Sequence, residues 1–240
     1  MQNGLYVALS SHIALEKRMT TIADNVANLG TVGYRATGVK FEDVVSGVGQ
    51  KSVSFTSAGD TYLSQISGSM RQTGNPFDFA VQGDAWFGIS TPAGTVMTRD
   101  GRFTITETGQ LVTHEGHPVL DAGGAPLQLD PRSGAPVAGR DGALYQNGQA
   151  AGAIGLFNFD PGPNFTRYGN SGIVPATQPE PVVDRSDIGV VQGFVEDSNV
   201  NPVLEMTRLI MVQRAFENAG AMIRDTETAL DDAIKTLGSR

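Results

Sequence analysis

The chain has 240 residues, enough for a core of its own, and sets 17 Lys and Arg against 25 Asp and Glu. A net charge of -8 has the wrong sign for a protein that neutralises phosphates, which sets aside nucleic acid and anionic lipid as partners. With no cysteine there is no disulfide framework, thiolate zinc site or cysteine nucleophile, and no apolar run approaches the roughly 20 residues that cross a bilayer.

The opening, Met1 to Tyr6, lacks the basic region and uninterrupted apolar stretch of a secretory signal, so the protein stays in the cytoplasm or leaves by a route that reads no such signal. Stepping by four and three from Met1 gives Met1, Leu5, Ala8, His12, Leu15, Met19, Ile22, Val26 and Leu29. All but His12 are apolar, and the spacing predicts a helix with a narrow seam for another helix. His12 falls at the seam edge with its ring partly exposed. The stripe stops at Gly30 and Gly33, where Asn28 or Gly30 can take the left-handed conformation that closes a helix.

Residues 45–72, rich in Ser, Thr and Gly, read as a connector. Within them Gly47-Val48-Gly49-Gln50-Lys51-Ser52 lacks the phosphate-loop spacing, because Ser46 stands where a glycine is required. From Thr73 to Asp197 short apolar runs such as Phe77 to Val81, Trp86 to Ile89, Phe103 to Ile105 and Gly189 to Val195 alternate with turn formers, among them Asn75-Pro76, Thr108-Gly109 and Asn147-Gly148. This predicts an all-β domain. Charged residues are only 18% of the chain and glycine numbers 30, a balance that suits short strands and buried subunit contacts.

Little in this stretch points to catalysis. His114-Glu115-Gly116-His117 has the wrong spacing for a zinc-protease helix and reads as a turn. No Gly-x-Ser-x-Gly elbow is present, and the carboxylate pairs Glu196-Asp197 and Asp231-Asp232 read as solvated charge. No metal or other cofactor is assigned.

Asn201-Pro202 opens the last helix, since Asn caps free N–H groups and Pro at the first position loses only an unpaired one. Met206, Leu209, Gln213, Phe216, Gly220, Ile223, Glu227, Leu230, Ile234 and Leu237 form its stripe. A helix from Pro202 to Leu237 is about 54 Å long.

The expected fold class is α+β: long N- and C-terminal helices pairing as a coiled-coil-like hairpin, with an inserted all-β domain. The expected divisions are 1–44 (helix and turn), 45–72 (connector), 73–197 (β head) and 198–240 (helix). Leu5, Leu15, Met19, Ile22, Val26, Asn28, Met206, Leu209, Phe216, Ile223, Leu230, Ile234 and Leu237 are the expected assembly interface. Both ends are expected to finish folding only when neighbours cover them.

Ala27-Asn28-Leu29-Gly30-Thr31-Val32-Gly33-Tyr34-Arg35, following an amphipathic helix, resembles the bacterial flagellar rod and hook family signature Ala-Asn-x-x-Thr-x-Gly-Phe/Tyr-Lys/Arg. Ser198 to Met206 and Gln213 to Glu217 resemble the same family's C-terminal signature. Thr73 to Phe87 with Thr98 to Phe103 resembles the β domain of its proximal-rod, distal-rod and hook members; Ala85 departs from the usual glycine there. Asn3 to Ser10 looks most like a proximal rod subunit, with a distal one as the nearest alternative.

The resemblance implies a structural subunit of the basal-body rod, with no catalytic residue, exported by the flagellar apparatus without a cleaved signal. It implies partners among other rod subunits and further copies of itself, with contacts to the export apparatus in transit and to surrounding rings, and a periplasmic place in the flagellum. More distant alternatives are a periplasmic carbohydrate-binding or hydrolytic β-domain protein and a soluble chaperone.

Overall fold

The computed structural model of the chain describes residues 2–46, 53–57, 59–183 and 185–238; the Gly47–Ser52 stretch lies outside them. Among the described residues two helices form, α1 (Gln2–Ala27) and α2 (Pro202–Gly238), of 26 and 37 residues. Helix makes up 26% of the chain and strand 32%.

This corrects the expected α+β hairpin: the fold is dominated by many short β pairings, and the two helices are not a coiled coil. A coiled coil keeps one apolar seam on each helix throughout its length. Here α1 packs on α2 with one face and on the strands Thr37–Lys40 and Val53–Thr56 with another. The far end of the longer helix also leaves Ile234 and Leu237 exposed.

The chain divides into two compact units: Met1–Ala27, Thr37–Tyr62 and Asn201–Arg240 in the first, Asn28–Ala36 and Leu63–Val200 in the second. In the first unit Asn201 caps α2 as its sequence predicts, its Oδ1 accepting the Leu204 N–H at 3.1 Å. On α1, buried Asn25 serves as a piece of strand. Its amide donates to the Thr37 carbonyl and accepts from the Thr37 N–H, both at 2.9 Å, so a helical side chain supplies hydrogen bonds of the kind a sheet partner gives. The Lys17 ammonium donates to the Gly59 carbonyl. Strand Asp43–Ser46 pairs antiparallel with Val53–Thr56.

The second unit is built on a six-stranded sheet in the order Thr166–Tyr168, Gly172–Val174, Gly94–Thr98, Trp86–Thr91, Leu156–Asn158 and Glu180–Pro181. Strand alternation sorts its side chains into two cores. Phe87, Ile89 and Val96 join Phe79, Phe103, Leu111, Val119 and Leu144 on one face. Trp86 and Met97 join Phe157, Ile173 and Leu63 on the other. Gly88 is required there, since a Cβ would stand 2.7 Å from the Phe157 ring. Two further pairings close the unit: Phe79–Gln82 with Gly189–Gln192, and Met70–Gln72 with Phe194–Glu196, all antiparallel.

The turn after α1 is not closed by Asn28 or Gly30 in the left-handed region, as the sequence suggested. Among the signature residues only Gly33 has positive φ, at 70°, and a Cβ there would stand 2.2 Å from the Asp100 nitrogen. The glycine is needed for both reasons.

Candidate functional site

On α1 the residues of the sequence-derived stripe form the packed face: Ile22 is buried, and Leu15, Met19 and Val26 are half-buried. On α2 the packed positions are Glu205, Leu209, Val212, Phe216, Ala219 and Ile223. They repeat at four and three residues, but alternate members sit one residue before those the sequence stripe chose. The expected Leu209, Phe216 and Ile223 belong to this face; Met206 is exposed, along with Ile234 and Leu237. Asn28 is half-buried and bonded to Thr31, while the side chains of Leu5 and Leu230 fall outside those described.

His12 stacks on Phe216, ring centroids 4.0 Å apart, with its buried Nδ1 unpartnered. The Phe216 ring is thus already occupied within the chain.

A second set of apolar residues faces outward. Tyr6, Leu9 and Ile13 on α1 are spaced by three and four, as are Val203, Met206 and Ile210 on α2, and all six are exposed. Leu204, Met211 and Met222 add to the uncovered surface of α2. The same spacing rule could have found this set; following one stripe per helix passed over all of it but Met206.

In the second unit the sequence reading of Glu196 as solvated charge is wrong. Glu196 is 1% exposed and receives two guanidinium groups, Arg35 Nη2 at 2.9 Å and Arg99 Nη1 at 3.2 Å. The arginines are 2% and 1% exposed and flank the single tryptophan, with Arg99 Cζ 5.2 Å and Arg35 Cζ 5.8 Å from the Trp86 ring centroid. Burial pulls the Arg99 guanidinium down to about 10 against the opposing pull of Glu196, and lowers Arg35 for the same reason.

Arg35 also donates to the Gln65 carbonyl and the Ser67 hydroxyl, and Arg99 to the Gly83 carbonyl. Glu196 Oε1 accepts the Gly68 N–H at 2.9 Å. These residues were missed because an isolated charge at a strand end carries no periodic signal; burial is decided by partners remote in sequence.

His117 faces Tyr168, its Nε2 3.4 Å from the phenol oxygen, and stands 3.6 Å from a Glu115 oxygen. Among the described residues no group of three or more metal-binding side chains converges.

Helices that show apolar stripes to solvent, in a chain whose β unit spends its buried charges on its own segments, define a structural subunit made to be packed by others. Comparison with known proteins agrees. Residues 5–35 match the family model described as flagella basal body rod protein, 80–145 the flagellar hook protein FlgE/F/G D1 domain, and 191–236 the flagellar basal body rod FlgEFG protein C-terminal region. Over 240 residues, all of both chains, the protein is 73% identical to the flagellar basal-body rod protein FlgF of Mesorhizobium japonicum. It is 57% identical to that of Rhizobium meliloti over 238 residues, 99% of each chain, and 29% identical to the rod protein FlgG of Bacillus subtilis over 263 aligned positions, 98% of each. The chain belongs to the flagellar basal-body rod protein family. It is a structural rod component of the flagellum and not an enzyme.

Proposed function

We propose that the chain is a proximal rod subunit, which assembles through its terminal helices with further copies and with other rod subunits into the shaft that transmits torque. The observation that carries this reading is the pair of outward apolar stripes, Tyr6-Leu9-Ile13 and Val203-Met206-Ile210, on helices that already have an inner face. Identities of 73% and 57% to two relatives named FlgF, against 29% to one named FlgG, favour the proximal over the distal position.

In this reading the two terminal helices, α1 and α2, make the wall of a tube. The interface comprises Leu5, Leu15, Met19, Ile22, Val26, Asn28, Met206, Leu209, Phe216, Ile223, Leu230, Ile234 and Leu237, with the exposed members facing neighbours and the packed members shaping the helix pair that neighbours meet. The subunit reaches the periplasm through the flagellar export apparatus without a cleaved signal, and surrounding rings contact the finished rod.

The test is complementation of a strain lacking the gene. Phe216→Asp or Ile223→Asp abolishes swimming and removes the subunit from purified basal bodies while the β unit stays folded. Normal swimming in both variants counts against the helices as the means of assembly.

A further inference from the structure

The second unit begins and ends on segments that are bonded to each other. Gly33 N–H donates to the Glu196 carbonyl at 2.7 Å, and Asn199 N–H donates to the Tyr34 carbonyl at 3.3 Å. Ala36 N–H donates to the Asn199 side-chain oxygen at 2.7 Å, and the Asn199 amide nitrogen reaches the Ser64 hydroxyl and the Ile66 carbonyl. Arg35 and Glu196 add their buried ion pair. Residue 33 is thus matched with 196, and 34 and 36 with 199: both segments advance in the same chain direction.

Direction decides how such a contact fails. Tension along the chain pulls the first segment by its beginning, near residue 30, and the last by its end, near residue 200. In two segments that run the same way, those points are at opposite ends of the contact. The pull is then shear, in which the bonds must yield together, whereas pulling from one common end peels them off singly.

Burial makes the contact more resistant. The Glu196 carboxylate is hidden from the water that would replace its partners, and hydrogen bonds to charged groups are the stronger ones. Behind it Glu196 is also held by its own strand, Phe194–Glu196 on Met70–Gln72, and by the Gly68 N–H.

We propose that residues 33–36 and 196–199, fastened by Arg35, Glu196 and Asn199, are a mechanical clamp that keeps the second unit folded when load passes through the chain. Its purpose rests on the rod reading, since a subunit of a turning shaft is under load; its existence does not. Glu196 is a positioning residue: it sets the register in which the two segments grip.

The experiment is optical-tweezers pulling of the full chain with DNA handles on introduced cysteines, which is clean because the native chain has none. Handles at Gly30→Cys and Val203→Cys apply shear; Gly30 has open space for a side chain and Val203 is exposed. Handles at Lys40→Cys and Val203→Cys pull both segments from their common end.

The clamp survives longer at a given force in the first geometry than in the second. Glu196→Gln shortens the lifetime under shear by about 10–100-fold, the equivalent of one charged hydrogen bond, and narrows the gap between geometries. Should that variant not fold, Asn199→Ala, which leaves the ion pairs in place, shortens the shear lifetime in its stead. Equal lifetimes in both geometries, or a shear lifetime untouched by the folded variants, overturns the clamp. Failure of the rod reading shows separately, as normal basal bodies in cells carrying helix variants.

Discussion

The outward stripe on α2 permits a quantitative test. Val203, Met206 and Ile210 are 76, 55 and 53% exposed, so covering them buries the equivalent of a little under two whole side chains. At about 1.5–3 kcal/mol for a full apolar side chain this is worth roughly 3–5 kcal/mol per subunit contact, or about 10²–10⁴-fold in association. The triple variant Val203→Ser, Met206→Ser, Ile210→Ser removes most of that and takes little from the isolated chain, whose melting should move by no more than about 0.5 kcal/mol. Val212→Ser is the contrast: Val212 is packed inside the chain, so its loss lowers the melting of the monomer itself. The assays are thermal melting of purified protein by helix ellipticity, and the amount of subunit in basal bodies from complemented cells. Normal basal bodies from the triple variant would refute the assignment of this stripe to assembly.

Three shorter predictions follow from the same packing. Glu196→Gln leaves two buried guanidinium groups without their carboxylate and costs about 3–5 kcal/mol, whereas Arg99→Met leaves one balanced pair and costs about 1–2 kcal/mol for the Val81 and Gly83 carbonyls it abandons; denaturant titration followed by Trp86 emission ranks them, and the reverse order contradicts the assignment. Gly33→Ala forces a side chain into a left-handed turn and against the Asp100 nitrogen, and should cost more than about 2 kcal/mol by the same titration. Lysine occurs only at 17, 40, 51 and 235, so a lysine-specific protease leaves the covalent chain 63–200 uncut. Rapid cleavage after Lys17 in dilute protein is the outcome if the helices finish folding only on assembly, and protection of that bond means that they fold without neighbours.

The parts of the fold carried by local periodicity were legible in the sequence. Ile22 and Met19 announce the inner face of α1, Asn201-Pro202 the start of α2, and Asn75-Pro76 or Thr108-Gly109 the turns of the β unit. A coiled coil did not follow from the stripes, because periodicity shows that a helix has an apolar face but not what covers it. Strands cover a second face of α1 through Asn25, a polar residue that no apolar pattern selects. On α2 the choice between Met206 and Glu205 as the packed residue turns on one position, and hydrophobicity points the wrong way: the glutamate is buried, with Arg208 at 2.6 Å, and the methionine is out. Glu196 is the sharpest case. Its neighbour Asp197 does meet Arg71 near the surface, as a solvated pair should, yet the two adjacent carboxylates have opposite environments because strand alternation turns them to opposite faces.

Why the clamp is charged can be tested against the apolar alternative. A buried ion pair adds little net stability, since desolvation offsets most of the attraction, and well-packed apolar substitutes often match it. Stability alone therefore gives no reason for three buried charges in a chain with only 18% charged residues. Apolar contacts, however, are non-directional and permit sliding, whereas a guanidinium on a carboxylate has fixed geometry and must break before its segment moves. The triple variant Arg35→Met, Arg99→Met, Glu196→Leu, which leaves no unpaired charge but frees the Gln65, Val81 and Gly83 carbonyls and the Gly68 N–H, should consequently cost no more in denaturant titration than the roughly 3–5 kcal/mol of Glu196→Gln alone, while its lifetime under shear approaches that under peeling. If the apolar variant keeps the native difference between the two pulling directions, the charges do not fasten these segments and the clamp as proposed is overturned.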